Sequence, residues 1–101
     1  MKAANLSDVR VRFAPSPTGH LHLGSVRVAI FNWLFAQHTG GSYLLRIEDT
    51  DVKRSTQAFI DSQLRSLQWL DLMPDEPVVF QVERLDEHQK AAQQLLETGW
   101  A

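Results

Sequence analysis

The sequence predicts an α/β fold around a parallel sheet, on three observations. Strand-like segments, the first with a two-residue period, alternate with segments of helical period, in the order β-α-β-α-β-α. The second strand segment, Ser42 to Ile47, is nearly continuous in apolar residues, as strands of buried parallel sheets are. The loops after the first two strand segments are both unusually rich in functional groups, and such loops lie where parallel sheets receive ligands. Strand–helix–strand units of this kind close through right-handed crossovers.

In the first strand, Val9, Val11 and Phe13 alternate with Arg10 and Arg12. Ala14-Pro15-Ser16-Pro17-Thr18-Gly19 then interrupts regular structure, because two prolines lack amide donors. From Gly24 the period becomes helical, with Val26, Ala29, Ile30, Trp33 and Leu34 on one face. Val28, Phe31 and Phe35 add apolar surface elsewhere, so this helix is predicted to be buried on more than one side. Gly40-Gly41 supplies its C-cap. A second helix is predicted from near Ser55, with Ile60, Leu64, Leu67 and Leu70 as its stripe and Pro74 beyond its end. Val78 to Phe80 is the third strand candidate. Leu85, His88, Ala92 and Leu95 mark a last helix that stops at Gly99. Trp33, Phe59, Trp69 and Phe80 fall at helical or strand-core spacing and are read as packing residues.

The 101 residues hold 44% hydrophobic and 22% charged side chains, ordinary globular composition that argues against disorder. Residues 1–8 are expected to be a tail and residues 9–101 one domain, complete or partial. The absence of cysteine excludes disulfide frameworks and cysteine-ligated zinc or iron–sulfur sites, and suits a reducing compartment. No apolar run approaches the ~18 residues of a membrane span, and Met1 to Asp8 has no apolar signal core. A cytoplasmic chain without a membrane partner is expected. Residues 1–54 carry seven Lys/Arg and four acids, net +3; residues 55–101 carry three and eight, net −5. The cationic first part favours an anionic ligand there, and the acidic second part argues against a general nucleic-acid surface.

The loop Pro15-Ser16-Pro17-Thr18-Gly19-His20-Leu21-His22-Leu23-Gly24-Ser25 leads straight into a helix whose first amides favour phosphate. Gly24 is expected to let a ligand approach closely, and His22 to stabilise charge during phosphoryl or nucleotidyl transfer. The Gly-Lys-Ser/Thr ending of a Walker loop is absent. His20 and His22 with Asp49 and Asp51 form a conceivable but disfavoured metal set, and no metal site is assigned. His20 is expected at the surface, and Asp49 or Asp51 is expected to help cap the following helix. Arg12 and Glu48 end the first two strands, where opposed charges suit the carboxylate and ammonium of an amino acid. Simple pairing of Arg12 and Glu48 with each other or with neighbours is the competing reading.

Arg-Phe-Ala-Pro-Ser-Pro-Thr-Gly (12–19), His-Leu-Gly-Ser (22–25), Phe-Asn-Trp-Leu-Phe-Ala (31–36) and Leu-Arg-Ile-Glu-Asp-Thr-Asp (45–51), then Arg54-Ser55, closely resemble the amino terminus of glutamyl-tRNA synthetases. These are class I aminoacyl-tRNA synthetases, and the resemblance runs across essentially the whole chain. It implies the N-terminal half of a Rossmann-like catalytic domain, with the second half and the anticodon-binding domain outside these residues. His22-Leu23-Gly24-Ser25 stands where the class I His-Ile-Gly-His signature falls, with Ser25 in place of the final histidine. By resemblance Thr18, His22, Gly24 and Ser25 bind ATP, with His22 catalytic. Arg12 takes the glutamate side-chain carboxylate, and Ala14, Ser16 and Glu48 surround its α-amino group. Asp51 and Arg54 face the tRNA acceptor end.

The implied reaction forms glutamyl-adenylate from glutamate and ATP, with Mg2+ accompanying ATP, then transfers glutamate to the 3′ end of tRNA(Glu). In this family adenylate formation characteristically needs tRNA. A monomer without zinc in this part is implied. Glutaminyl-tRNA synthetases, which usually read closer to Pro-Glu-Pro-Asn-Gly and Phe-Asp-Asp-Thr-Asn at these loops, fit poorly. A truncated paralogue that glutamylates queuosine in tRNA commonly has Ile where Thr50 stands, and it is the enzyme alternative. A non-catalytic remnant that binds nucleotide or amino acid is the other. The family's Lys-Leu-Ser-Lys or Lys-Met-Ser-Lys signature does not occur in the 101 residues.

Overall fold

The computed structural model describes residues 5–101. Residues 1–4 of the expected tail lie outside the described residues, and Leu6–Asp8 forms a 3-10 turn capped by the Asn5 side chain. The regular elements are β1 (Arg10–Phe13), α1 (Leu23–Thr39), β2 (Ser42–Ile47), α2 (Gln57–Trp69), β3 (Val79–Phe80) and α3 (Leu85–Glu97). The three strands form one parallel sheet in the order β1-β2-β3. Arg10 to Phe13 run beside Ser42 to Leu45, and Arg46-Ile47 beside Val79-Phe80. The α/β class and the alternating element order stand as the sequence predicts.

The core lies on one side of the sheet. Tyr43, Leu45 and Ile47 of β2 are fully or almost fully buried against Phe13 of β1, Ala29 and Ala36 of α1, and Ile60 and Leu67 of α2. The intervening residues Leu44 and Arg46 are only half-buried, so β2 shows a strand's alternation despite its apolar run. Only Ala29, Ala36 and Thr39 of α1 are buried, and Phe31, Leu34 and Phe35 are exposed. This corrects the expectation of a helix covered on several sides. Its small residues seat it against the sheet, and among the described residues no element lies over its opposite face. The predicted stripe of α3 is likewise exposed, because that helix makes its main contacts with the 3-10 turn Gln81–Arg84 that precedes it rather than with the sheet. Trp69, read as a packing residue, is 85% exposed at the end of α2.

Helix ends explain where the chain turns. Gly40 has φ of 69°, and the Gly40 and Gly41 N–H groups donate to the Gln37 and Ala36 carbonyls, closing α1 in a Schellman motif. A side chain at 41 would strike the Val9 backbone, so the pair also lets β2 start beside β1. α2 closes in the same way, with Asp71 N–H to Gln68 O and Leu72 N–H to Leu67 O, but with Asp71 in the left-handed position at φ 59°. At its start, the Thr56 hydroxyl accepts from the Phe59 N–H. Thr56, and neither Asp49 nor Asp51, is therefore the cap of α2. The two aspartates precede the first turn by several residues and have nearer donors, the Val82 N–H for Asp49 and Arg54 for Asp51. No helix of the described residues is long and apolar enough to cross a membrane.

Candidate active site

β1 and β2 deliver their carboxyl ends to one rim, and the loop from Ala14 to His22 runs along it into α1. Prolines at 15 and 17 fix φ and donate no hydrogen bond, so the loop is held through its carbonyls. Pro15 O accepts from the Glu48 N–H at 2.9 Å, which ties the two strand-end loops together, and Pro17 O accepts from the Thr56 N–H at 3.4 Å. Ser16 O and Gly19 O both accept from the Gln63 side-chain amide, at 3.1 and 2.8 Å.

His22 caps α1. Its Nδ1 accepts from the Ser25 N–H at 3.3 Å, so the ring proton lies on Nε2, 3.0 Å from Ser25 Oγ, which accepts it. Gly24 makes room for this ring: a Cβ there would sit 3.1 Å from two imidazole atoms. The open space expected at Gly24 for a ligand is thus taken first by His22. The Leu23 and Gly24 N–H groups of the first turn have no partner among the described residues, leaving donors aimed outward at a positive helix end.

Two hollows meet at His22 and Ser25. One, of about 430 Å³, is bordered by Arg12, Ala14, Pro15 and Gly24. The other, of about 330 Å³, is bordered by Ser16, Thr18, Gly19, His20 and Gln63. A third and more apolar one, of about 590 Å³, opens on the far side of His22 toward Arg65 and Trp69. Arg12, Ala14, Ser16, Thr18, His22, Gly24 and Ser25 are therefore brought together as the sequence anticipates. Glu48 stands beside them without lining either of the first two hollows. Its Oε1 is 2.6 Å from Arg46 Nη2 and 3.7 Å from Arg12 Nη1, so Arg46, and more weakly Arg12, balances its charge.

Asp51 and Arg54 are not part of this cluster and pair with each other at 2.6 Å. The Arg54 guanidinium hydrogen-bonded to Asp51 lowers the pKa of its carboxyl below the ordinary value. His20 is exposed, yet its Nδ1 lies 2.7 Å from Ser62 Oγ and its ring meets Phe59 edge to face at 5.1 Å. No three His, Cys, Asp or Glu side chains converge as a metal seat among the described residues. Gln63 belongs to no motif. Its one signal is positional, a polar residue between Ile60 and Leu67 on the inward stripe of α2.

Residues 8–101 match the family of class I tRNA synthetases (E and Q), catalytic domain. The chain belongs to that family. Among curated class I synthetases, the glutamate–tRNA ligase of Caulobacter sp. is 56% identical over 99 residues, which are 98% of this chain and 21% of that protein. Glutamate–tRNA ligase 2 of Novosphingobium aromaticivorans is 60% identical over 93 residues, 92% of this chain and 19% of that one. The crystal structure of a glutamate tRNA ligase from Elizabethkingia meningosepticum in complex with its amino acid superposes with a TM-score of 0.82 at 45% identity. That match covers 89% of this chain and 20% of the synthetase. The chain thus spans about a fifth of the length of the class I synthetases it matches.

Proposed function

We propose that the protein carrying these residues is a glutamate–tRNA ligase, and that this part supplies its ATP- and glutamate-binding rim. The observation that carries the proposal is the convergence of Arg12, the Pro15–Gly19 loop and the His22-capped helix start on adjoining hollows. Arg12 offers a planar, permanent cation that grips the side-chain carboxylate of glutamate in bidentate fashion. Glu48, with Ala14 and Ser16, receives the α-ammonium group, and the Arg46 guanidinium holds the Glu48 carboxylate in place until it does.

Thr18, Gly24, Ser25 and the free amides of Leu23 and Gly24 hold ATP phosphates. His22 exchanges the Ser25 Oγ acceptor of its Nε2–H for the oxygens on which charge accumulates. An α-carboxylate oxygen of glutamate attacks the α-phosphorus and pyrophosphate leaves. The terminal ribose hydroxyl of tRNA(Glu) then attacks the activated carbonyl and AMP leaves. No strong base is needed, and rate comes from positioning and electrostatic stabilisation. Asp51 and Arg54 meet the acceptor end of the tRNA. Magnesium arrives with ATP as part of the substrate. The enzyme works as a monomer in the cytoplasm.

The test is glutamate- and tRNA-dependent pyrophosphate exchange by the complete gene product, followed by acid–gel analysis of charged tRNA(Glu). Charging at the terminal ribose is expected. Preference for glutamine, or glutamate carried on a queuosine base, would overturn it.

A further inference from the structure

We infer that Gln63 of α2 is a positioning residue that sets the shape of the ATP-facing loop. This inference rests on the nucleotide reading given above and adds a residue to it. Gln63 is 2% exposed and makes no hydrogen bond to its own helix. Its Nε2 carries two protons, and both go to the loop, one to Ser16 O and one to Gly19 O. These carbonyls bracket Pro17 and Thr18, so one amide spans the mouth of the turn that presents Thr18.

The rest of the loop leans on the same platform. His20 reaches Ser62 and Phe59 of α2, and Pro17 O takes the N–H of the α2 cap residue, Thr56. Of these contacts only Gln63 holds two points of the turn at once. Few side chains can replace it. An apolar residue of equal size would leave two loop carbonyls without their donor, and a carboxylate would face them with repulsion. Gln63 also borders the hollow that Thr18, His22 and Ser25 share.

The experiment compares Gln63→Met, which keeps length and apolar bulk, with Leu67→Val as a packing control on the same helix, in the complete gene product. Hydrogen–deuterium exchange, without substrate, of the amides that anchor this loop, Glu48 and Thr56 donating to the Pro15 and Pro17 carbonyls and Ser25 donating to His22, reads how firmly the loop is held. It is expected to quicken about tenfold in Gln63→Met and to stay within twofold in Leu67→Val. In pyrophosphate exchange, KM for ATP is expected to rise about tenfold in Gln63→Met, with KM for glutamate changed less than threefold and kcat reduced less than KM is raised.

Unchanged loop exchange in Gln63→Met overturns the inference. So does quickened exchange with an unaltered KM for ATP, or an equal effect from Leu67→Val. Failure of the ligase reading shows separately, as absence of glutamate-dependent exchange in the unsubstituted protein, and in that case the hydrogen–deuterium result alone decides the clamp.

Discussion

Arg12 stands at the rim with its side chain about half exposed and only a loose contact to Glu48, which leaves it free to take a stronger partner. Charge-assisted hydrogen bonds are each worth about 1.5–3 kcal/mol. Arg12→Ala in the complete protein is therefore expected to raise KM for glutamate roughly 10- to 150-fold while KM for ATP moves less than threefold. Pyrophosphate exchange with each substrate varied in turn checks it, and equal losses for both would remove Arg12 from the glutamate pocket. Tyr43 makes the opposite case, a residue whose chemistry belongs to stability. It is the only tyrosine in the chain, fully buried, and its hydroxyl has no hydrogen-bond partner among the described residues. Burial, with a smaller contribution from the nearby Asp75 carboxylate, pushes its pKa up to about 12. The folded state thus favours the neutral phenol. Stability from this group is intact below the unfolded value of about 10 and falls as pH rises toward about 12. Thermal melts of the unsubstituted protein and Tyr43→Phe between pH 9 and 12 are expected to diverge, the variant losing less. Parallel curves would contradict the burial of an unpaired phenol.

Each of the three helices ends in the same way, with a left-handed residue carrying the chain out of the last turn: Gly40, Asp71 and Gly99. Two of these positions hold the residue that adopts the conformation without strain, and Asp71 does not. Asp71→Gly is accordingly expected to stabilise the protein by about 1 kcal/mol, provided the side chain makes no compensating contact. Chemical denaturation measures it, and a loss of stability would show that Asp71 holds something the helix end needs. These terminators also show why the elements are legible in the sequence. Gly40-Gly41, Gly99 and the two rim prolines act locally, through φ and the amide donor, so a one-dimensional reading finds them. Hydrophobic period serves well for α2, whose Ile60 and Leu67 are buried, but it overstates α1 and α3; the apolar run of β2 marks a strand correctly, yet only its Tyr43, Leu45 and Ile47 face is buried. Period shows which faces are apolar and not what covers them. Nor does it reveal side-chain choices among several near donors, which is why Thr56 rather than an aspartate caps α2. Gln63 was hidden for the same reason: its partners lie 44 and 47 residues away in the chain.

At the scale of the whole molecule, the sheet puts Arg12, the 14–19 loop and the start of α1 on one open edge, with Glu48 beside them and Asp51 and Arg54 apart. The cationic first part of the chain contributes Arg12 and the α1 helix start there, whereas the acidic residues 55–101 form the supporting α2 and the outlying α3. That placement gathers the proposed ligand-binding groups but does not enclose them. Arg12 and Glu48 keep 51% and 31% of their side-chain surface, and His22 is exposed. Electrostatic stabilisation of a pentavalent phosphorus is strong only where water is displaced and donors are fixed, because the effective interaction falls steeply with rising dielectric. An open rim without the Lys-Leu-Ser-Lys or Lys-Met-Ser-Lys segment of the class I synthetases is without that segment's two lysines for the departing pyrophosphate. The 101 residues by themselves are therefore expected to bind ATP and glutamate weakly and to support pyrophosphate exchange at least a thousandfold more slowly than the complete gene product. The figure follows from losing about 4 kcal/mol of transition-state stabilisation, the order expected for one oxyanion-type contact and partial exposure of the rest. Side-by-side assays at saturating glutamate and tRNA give the ratio. A ratio within tenfold would mean that positioning along this edge supplies nearly all of the catalysis.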